Sequence, residues 1–389
     1  MRGAILPHQA SGRHIQVLSM KITEIEALHL RLPVVQEVAD GTQDCLIVRV
    51  HTDAGLTGLG EVVSCSYVAR SVIEAPRSAP FRHGLAAIVN GMDAEDIDAV
   101  SQAMIEGTAW YGPGGVTRQA MSGIDMALWD LRGKAMGVPV RALLSETPVD
   151  AIPCYASVLW PEHPELVAAS AQGFLEQGYR AVKYGWAPMG PDPDLDEALV
   201  AAARDALGPE IDLMVDAGRA WDVGAALERV ERFQKYDVFW LEEPLNPYDT
   251  VGYGMLSESS SIPIAAGEAV TLIEEYETLL RDGRIQVVQP DLGRVGGITG
   301  GKQIAALAED TGAWTVPHAF GTGVLLAASA QWAASFKKAM TEFTRAPSPL
   351  AQDLVIHSMS FRNGELHLTD APGLGVELDA QVVEAYRVK

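Results

Sequence analysis

A chain of 389 residues is longer than one hydrophobic core usually supports, so two packed units are expected. With 48% hydrophobic and 21% charged residues it has the make-up of a soluble globular protein, and no apolar run is long enough to span a bilayer. The formal net charge of −22 excludes a nucleic-acid partner, which would need a basic face; a small anionic substrate would need local positive charge from a metal or from placed lysines.

Residues 1–19 contain His8, Arg13 and His14 but no continuous apolar signal core, and they read as a disordered extension rather than a secretion signal. Cys45, Cys65 and Cys154 fit neither a zinc spacing nor a disulfide framework, so they read as small buried hydrophobes in a cytoplasmic protein. From Met20, KITEIEALHLRLP alternates as a strand, and CLIVRVHTDAGLTGLGEV reads as a hairpin turning at Thr52–Gly55. Between Ala94 and Ala135 the pattern turns helical. In MSGIDMALWDLRGKAMG apolar residues recur at three and four, and Gly137 with Pro139 closes the helix. Residues 20–148 therefore form a small α+β unit.

From Ile152 onward short strands alternate with amphipathic helices. The strands are IPCYAS, YRAVKY, DLMVD, VFWLEE, IPIAAGE, IQVVQPD, AWTVPH and MTEF. Eight strands with helical crossovers are the pattern of a closed parallel barrel over residues 149–346. An open doubly wound sheet is disfavoured because no Gly-rich dinucleotide fingerprint follows any strand. Residues 347–389 read as strands and turns that pack back onto the first unit.

The ionisable residues gather at strand ends: Asp216, Glu242, Glu268, Asp291, His318 and Glu342, each about one strand-plus-helix unit from the next. A lone glutamate there would be a solvated rim charge. Three on successive strands converge, and without a cation they would repel until some protonated. Hard oxygen ligation suits Mg²⁺. Glu242 and Glu243 are adjacent, so only one can point inward, and alternation alone does not choose. Asp291 ends the strand before His318, so it can hold one imidazole nitrogen and raise the basicity of a general base. Alternation puts Lys183 and Gly185 on the inner side and Tyr184 towards the helices. There Lys183 could bind a substrate carboxylate or act as a base.

These motifs resemble the enolase superfamily, in its mandelate racemase-like branch. The resemblance runs from Met20 to the C-terminal tail through TDAGLTGLGE, AMSGIDMALWDLRGKAMGVPV, VDAGRAW, WLEEPL, IAAGE, QPDLGRVGGIT and VPHAFGTG. It implies a (β/α)7β barrel under an α+β cap completed by the tail, with one Mg²⁺ per subunit held by Asp216, Glu242 and Glu268. It further implies a His318–Asp291 dyad, substrate-carboxylate contacts from Lys183 and Glu342, and a loop over residues 36–44 above the barrel mouth. A homo-oligomer is the expected assembly. Two places depart from the family pattern: Gly185 stands where a second lysine is usual, and Gly218 where an Asn often follows the third-strand ligand.

The implied reaction is removal of the proton beside a carboxylate through an enediolate. With one face lacking its usual base, dehydration of an aldonic or aldaric acid to a 2-keto-3-deoxy acid is expected, since one imidazole can take the α-proton and return it to a leaving hydroxyl. A racemase or epimerase using Lys183 as second base is the alternative, and a catalytically silent metal-binding paralogue a third. Specificity is expected from residues 36–44 and from the surroundings of Trp186, Arg219 and Arg294.

Overall fold

The computed structural model describes residues 19–357 and 359–389. The extension expected over residues 1–19 lies, apart from exposed Ser19, outside the described residues. Among the described residues no helix is long and apolar enough to cross a membrane.

The first unit opens with a three-stranded antiparallel sheet of β1 (Ile22–Arg31), β2 (Asp44–Thr52) and β3 (Thr57–Val62). The β2–β3 hairpin turns where expected, with Gly55 at φ +76°, a left-handed conformation that suits glycine. The helix Val116–Met136 packs on this sheet so closely that a Cβ at Gly60 would lie 1.9 Å from the Gly123 carbonyl oxygen. It ends at Gly137 with φ +69°, ahead of Pro139. Sequence reading passed over the helix Ser66–Glu74, although its buried Ser66, Ala69 and Ile73 stand three and four apart.

The second unit is the barrel. Its strands are β4 (Ala151–Leu159), β5 (Ala181–Gly185), β6 (Asp212–Asp216), β7 (Val238–Glu242), β8 (Ile264–Ala266), β9 (Val287–Val288), β10 (Trp314–Thr315) and β11 (Thr341–Thr344). Parallel pairing runs in order from β4 to β10, and β11 pairs with β4 on the far side. The last regular strands are shorter than the sequence suggests. Pro290 and Pro317 have no N–H to give to a ladder, so β9 and β10 stop early and Asp291 and His318 lie just beyond them. An Asp291–His318 bridge keeps the two segments in register.

In the tail, β12 (Val355–His357) pairs with β15 (Val376–Leu378), while β13 (Ser360–Arg362) and β14 (Glu365–His367) form a hairpin that pairs with the start of β4. A helix, Ala380–Tyr386, follows in a segment expected to hold only strands and turns. It brings Arg387 to within 3.1 Å of Glu26 on β1. Buried Asp130 ties three parts together, accepting from the Leu59 and Leu374 amides at 2.9 and 2.8 Å and pairing with Lys134 at 2.6 Å.

Candidate active site

Strand alternation builds the site in two layers. Tyr155, Ala181, Met214, Trp240, Ala265, Val287, Val316 and Met340, one from each stave, form an apolar plug inside the barrel. Two residues further along the chain the same inward direction presents Ser157, Lys183, Asp216, Glu242, Gly267, Gln289, His318 and Glu342. All the expected site residues are buried here: Lys183, Asp216, Glu242, Glu268, Asp291, His318 and Glu342. Glu268 breaks the alternation counted from Ala265. Gly267 at φ +131° turns the chain, and Glu268 enters the mouth by that turn.

Carboxylate oxygens of Asp216, Glu242 and Glu268 come within 4.8 Å of one another. Three buried carboxylates so close are an electrostatic conflict, and the groups around them show how it is offset. The Lys183 ammonium contacts Glu242 and stands 2.9 Å from Glu342. Glu242 also accepts from Trp240 Nε1 at 3.0 Å and from Gln289 Nε2 at 2.6 Å. Burial holds the Asp216 carboxyl well above the usual range, with Glu242 adding to the rise. Glu342 goes the other way: burial opposes ionisation, but Lys183 and His318 outweigh it and bring its carboxyl to about 2. A donor set made wholly of hard oxygens fits a small divalent cation, and these residues could hold one.

His318 sits between acids. Its Nδ1 is 2.7 Å from Asp291 Oδ2, and its Nε2 is 3.0 Å from Glu268 Oε2 and 3.8 Å from Glu342 Oε2. Burial lowers its proton affinity, but Glu268, Glu342 and Asp291 raise it further, to about 10. In chelated protein this contribution to stability is complete below the ordinary histidine value and lost as pH rises through the folded one. Glu243, raised to about 8 mainly by burial, acts in the same direction. The melting temperature of chelated protein should therefore fall between about pH 7 and pH 10. Scanning fluorimetry tests this, because His318→Asn should lose the upper part of the fall. An unchanged slope in the variant would assign the titration to another group.

Gln289 was not expected from sequence, although counting two residues back from Asp291 would have placed it inside. Arg294 Nη1 donates to the Glu268 carbonyl at 2.9 Å. Glu243, at φ +42°, turns out of the strand and accepts from the Gly267 amide at 3.0 Å, leaving Glu242 as the inward residue. Tyr184 points away from the barrel interior, stacked on Trp160 at 4.8 Å. Of the cysteines, Cys45 and Cys154 are buried; Cys65, expected to be buried, is exposed just ahead of the helix Ser66–Glu74 and lines a cavity beside the site.

The two departures at glycine have local reasons. A Cβ at Gly185 would lie 2.7 Å from the Asp216 Cβ, and one at Gly218 would lie 2.9 Å from the Trp186 ring. With no side chain at 218, its amide still donates to Asp216 Oδ1 at 2.8 Å. A cavity of about 320 Å³ opens above these groups, with Val38–Gly41 of the cap loop among its walls.

The comparisons with known proteins agree with this architecture. Residues 166–382 match the enolase C-terminal domain-like family, and residues 21–145 match the mandelate racemase / muconate lactonizing enzyme N-terminal domain. The L-talarate/galactarate dehydratase of Salmonella typhimurium is 33% identical over 293 residues, 75% of this chain and 71% of the relative. The D-galactarolactone cycloisomerase of Agrobacterium fabrum is 28% identical over 356 residues, 88% of this chain and 91% of the relative. Among solved structures, the 3,6-anhydro-D-galactonate cycloisomerase from Zobellia galactanivorans superposes with a TM-score of 0.87 at 31% identity, covering 95% of this chain and 100% of that one. Matched in both units, with a cap over a (β/α)7β barrel, the chain belongs to the mandelate racemase-like branch of the enolase superfamily.

Proposed function

We propose that this protein is a lyase that takes the proton beside the carboxylate of a sugar acid and expels the β-hydroxyl as water, giving a 2-keto-3-deoxy acid. The observation that carries the reading is the placement of His318. It is held on Nδ1 by Asp291 at 2.7 Å, its Nε2 faces the acidic triad, and bare Gly185 stands where a second base would come. Asp216, Glu242 and Glu268 would hold one Mg²⁺, which when bound supplies positive charge against the second negative charge that builds on the substrate carboxylate.

The remaining work falls to the chain itself. Asp291 fixes the imidazole tautomer, so that Nε2 takes the α-proton and can return it to the departing β-oxygen. Lys183 is kept protonated: burial opposes its charge, but Glu242 and Glu342 raise its proton affinity well above the usual value. An ammonium so held suits contact with a substrate anion. Glu342, anchored by the Ala319 amide at 2.6 Å, stands 2.9 Å from Lys183 Nζ and 3.8 Å from His318 Nε2.

Two relatives named as cycloisomerases favour a second form of the same chemistry, in which the departing β-oxygen belongs to a ring and stays attached. Incubating a sugar-acid library with Mg²⁺ in D₂O tests both. The expected result is a 2-keto-3-deoxy product, a mass loss of one water and complete suppression by chelator with recovery on adding Mg²⁺. Isomerised product without mass loss would select the ring-opening form. Stereoinversion with no keto product would overturn both.

A further inference from the structure

Two cavities meet at Glu268. The first, above Lys183 and His318, has Val38, Leu159 and Phe320 among its apolar lining. The second, of about 370 Å³, shares Val63, Trp186, Glu268 and Arg294 with it and continues to Ser64, Gln119 and Arg219. A substrate anchored at the triad can thus extend towards a greasy wall or towards a polar one. The carbon chain of a sugar acid is hydroxylated throughout, so the polar direction suits it.

The charges in the second cavity are unusual for this chain, which has 51 acidic and 29 basic residues. Among the described residues no carboxylate lies within 4.0 Å of the Arg219 guanidinium, and Glu243 feels its charge only from further off. Its backbone is fixed, at φ +63° with the amide donating to the Glu243 carbonyl at 2.6 Å, and its head lies 5.5 Å from the centre of the Trp186 ring. Arg294 spends one nitrogen on the Glu268 carbonyl, while its buried Nε has no hydrogen-bond partner and stands 3.8 Å from Asp291. Both arginines line a cavity continuous with the reaction site, and the Arg219 guanidinium has no ion-pair partner there among the described residues.

Resting on the lyase reading above, we infer that the substrate carries a second carboxylate at its far end, making it an aldaric rather than an aldonic acid, and that Arg219 receives this carboxylate with Arg294 beside it. A planar guanidinium matches a carboxylate with paired donors, and water in the cavity is the competing partner.

The test compares stereochemically matched aldarates and aldonates of six carbons, with wild type and Arg219→Gln, by kcat/KM and by Mg²⁺-dependent thermal shift. The wild type should prefer the aldarate of each pair. Arg219→Gln should reduce that preference about 10- to 100-fold, mostly through KM. Preference for the aldonate, for an aldonate phosphorylated at its far end, or an equal loss on both members of a pair overturns the inference and leaves the lyase reading in place. If no pair is turned over, the lyase reading fails. The thermal shift then decides separately, since an aldarate shift that survives Arg219→Gln removes the role assigned to this arginine.

Discussion

Replacing His318 by asparagine is expected to lower turnover by about 10²- to 10⁴-fold or more, the range that a positioned acid–base group supplies. Asparagine keeps a polar group near Asp291, which lies 2.7 Å from the imidazole, but it cannot carry a proton between carbon and oxygen at neutral pH. Divalent-ion binding should survive. The three carboxylates gathered within 4.8 Å come from other staves, and Glu268 loses only a neighbour at 3.0 Å. Turnover assays paired with a calorimetric Mg²⁺ titration read the two effects separately. Near-normal turnover would remove His318 from the mechanism. Loss of both turnover and ion binding would mean that its role is to hold Glu268.

Lys183→Met should show the second large effect, on stability as well as activity. Glu242 and Glu342 are both 0% exposed, and Lys183 is the cation between them. Removing one member of a buried ion pair typically costs about 3–5 kcal/mol, because the partner is left buried and uncompensated. In a chain of this size that is a drop in melting temperature on the order of 5–10 °C. The drop should be larger in chelator than in saturating Mg²⁺, because an ion at the triad compensates Glu242 in place of the lysine. Turnover should fall by roughly three orders of magnitude, since the substrate carboxylate also loses its anchor. Equal destabilisation with and without Mg²⁺ would separate Lys183 from the proposed cation site.

How much of this was legible beforehand depended on whether a residue obeys a period. Asp216 closes β6 and Glu342 sits within β11, both short alternating strands, so period two and the barrel repeat placed them directly. Glu268 reaches the same space only because Gly267 adopts φ +131°, a torsion that strand alternation does not foresee. The choice between Glu242 and Glu243 likewise turned on a backbone reversal at φ +42°. Gln289 followed the period but carried no charge, so a search for ionisable groups passed over it. Arg219 and Arg294 lie in loops, where no repeat says which way a side chain points, and only the three-dimensional arrangement shows them facing one cavity.

Glu61 binds the two units of the chain together behind the reacting atoms. From β3 it accepts from the Thr322 amide and hydroxyl at 3.0 and 2.6 Å and from the Leu325 amide at 2.9 Å, at the start of the helix Gly323–Ala333. That start follows His318 by a few residues, so the segment presenting the imidazole is clamped by a side chain borrowed from the cap. The barrel is therefore not a free-standing catalyst with an exchangeable lid. A cap transplanted from a relative to change substrate preference must bring an acceptor to this same point, or the His318 imidazole will be misplaced however well the new loops fit.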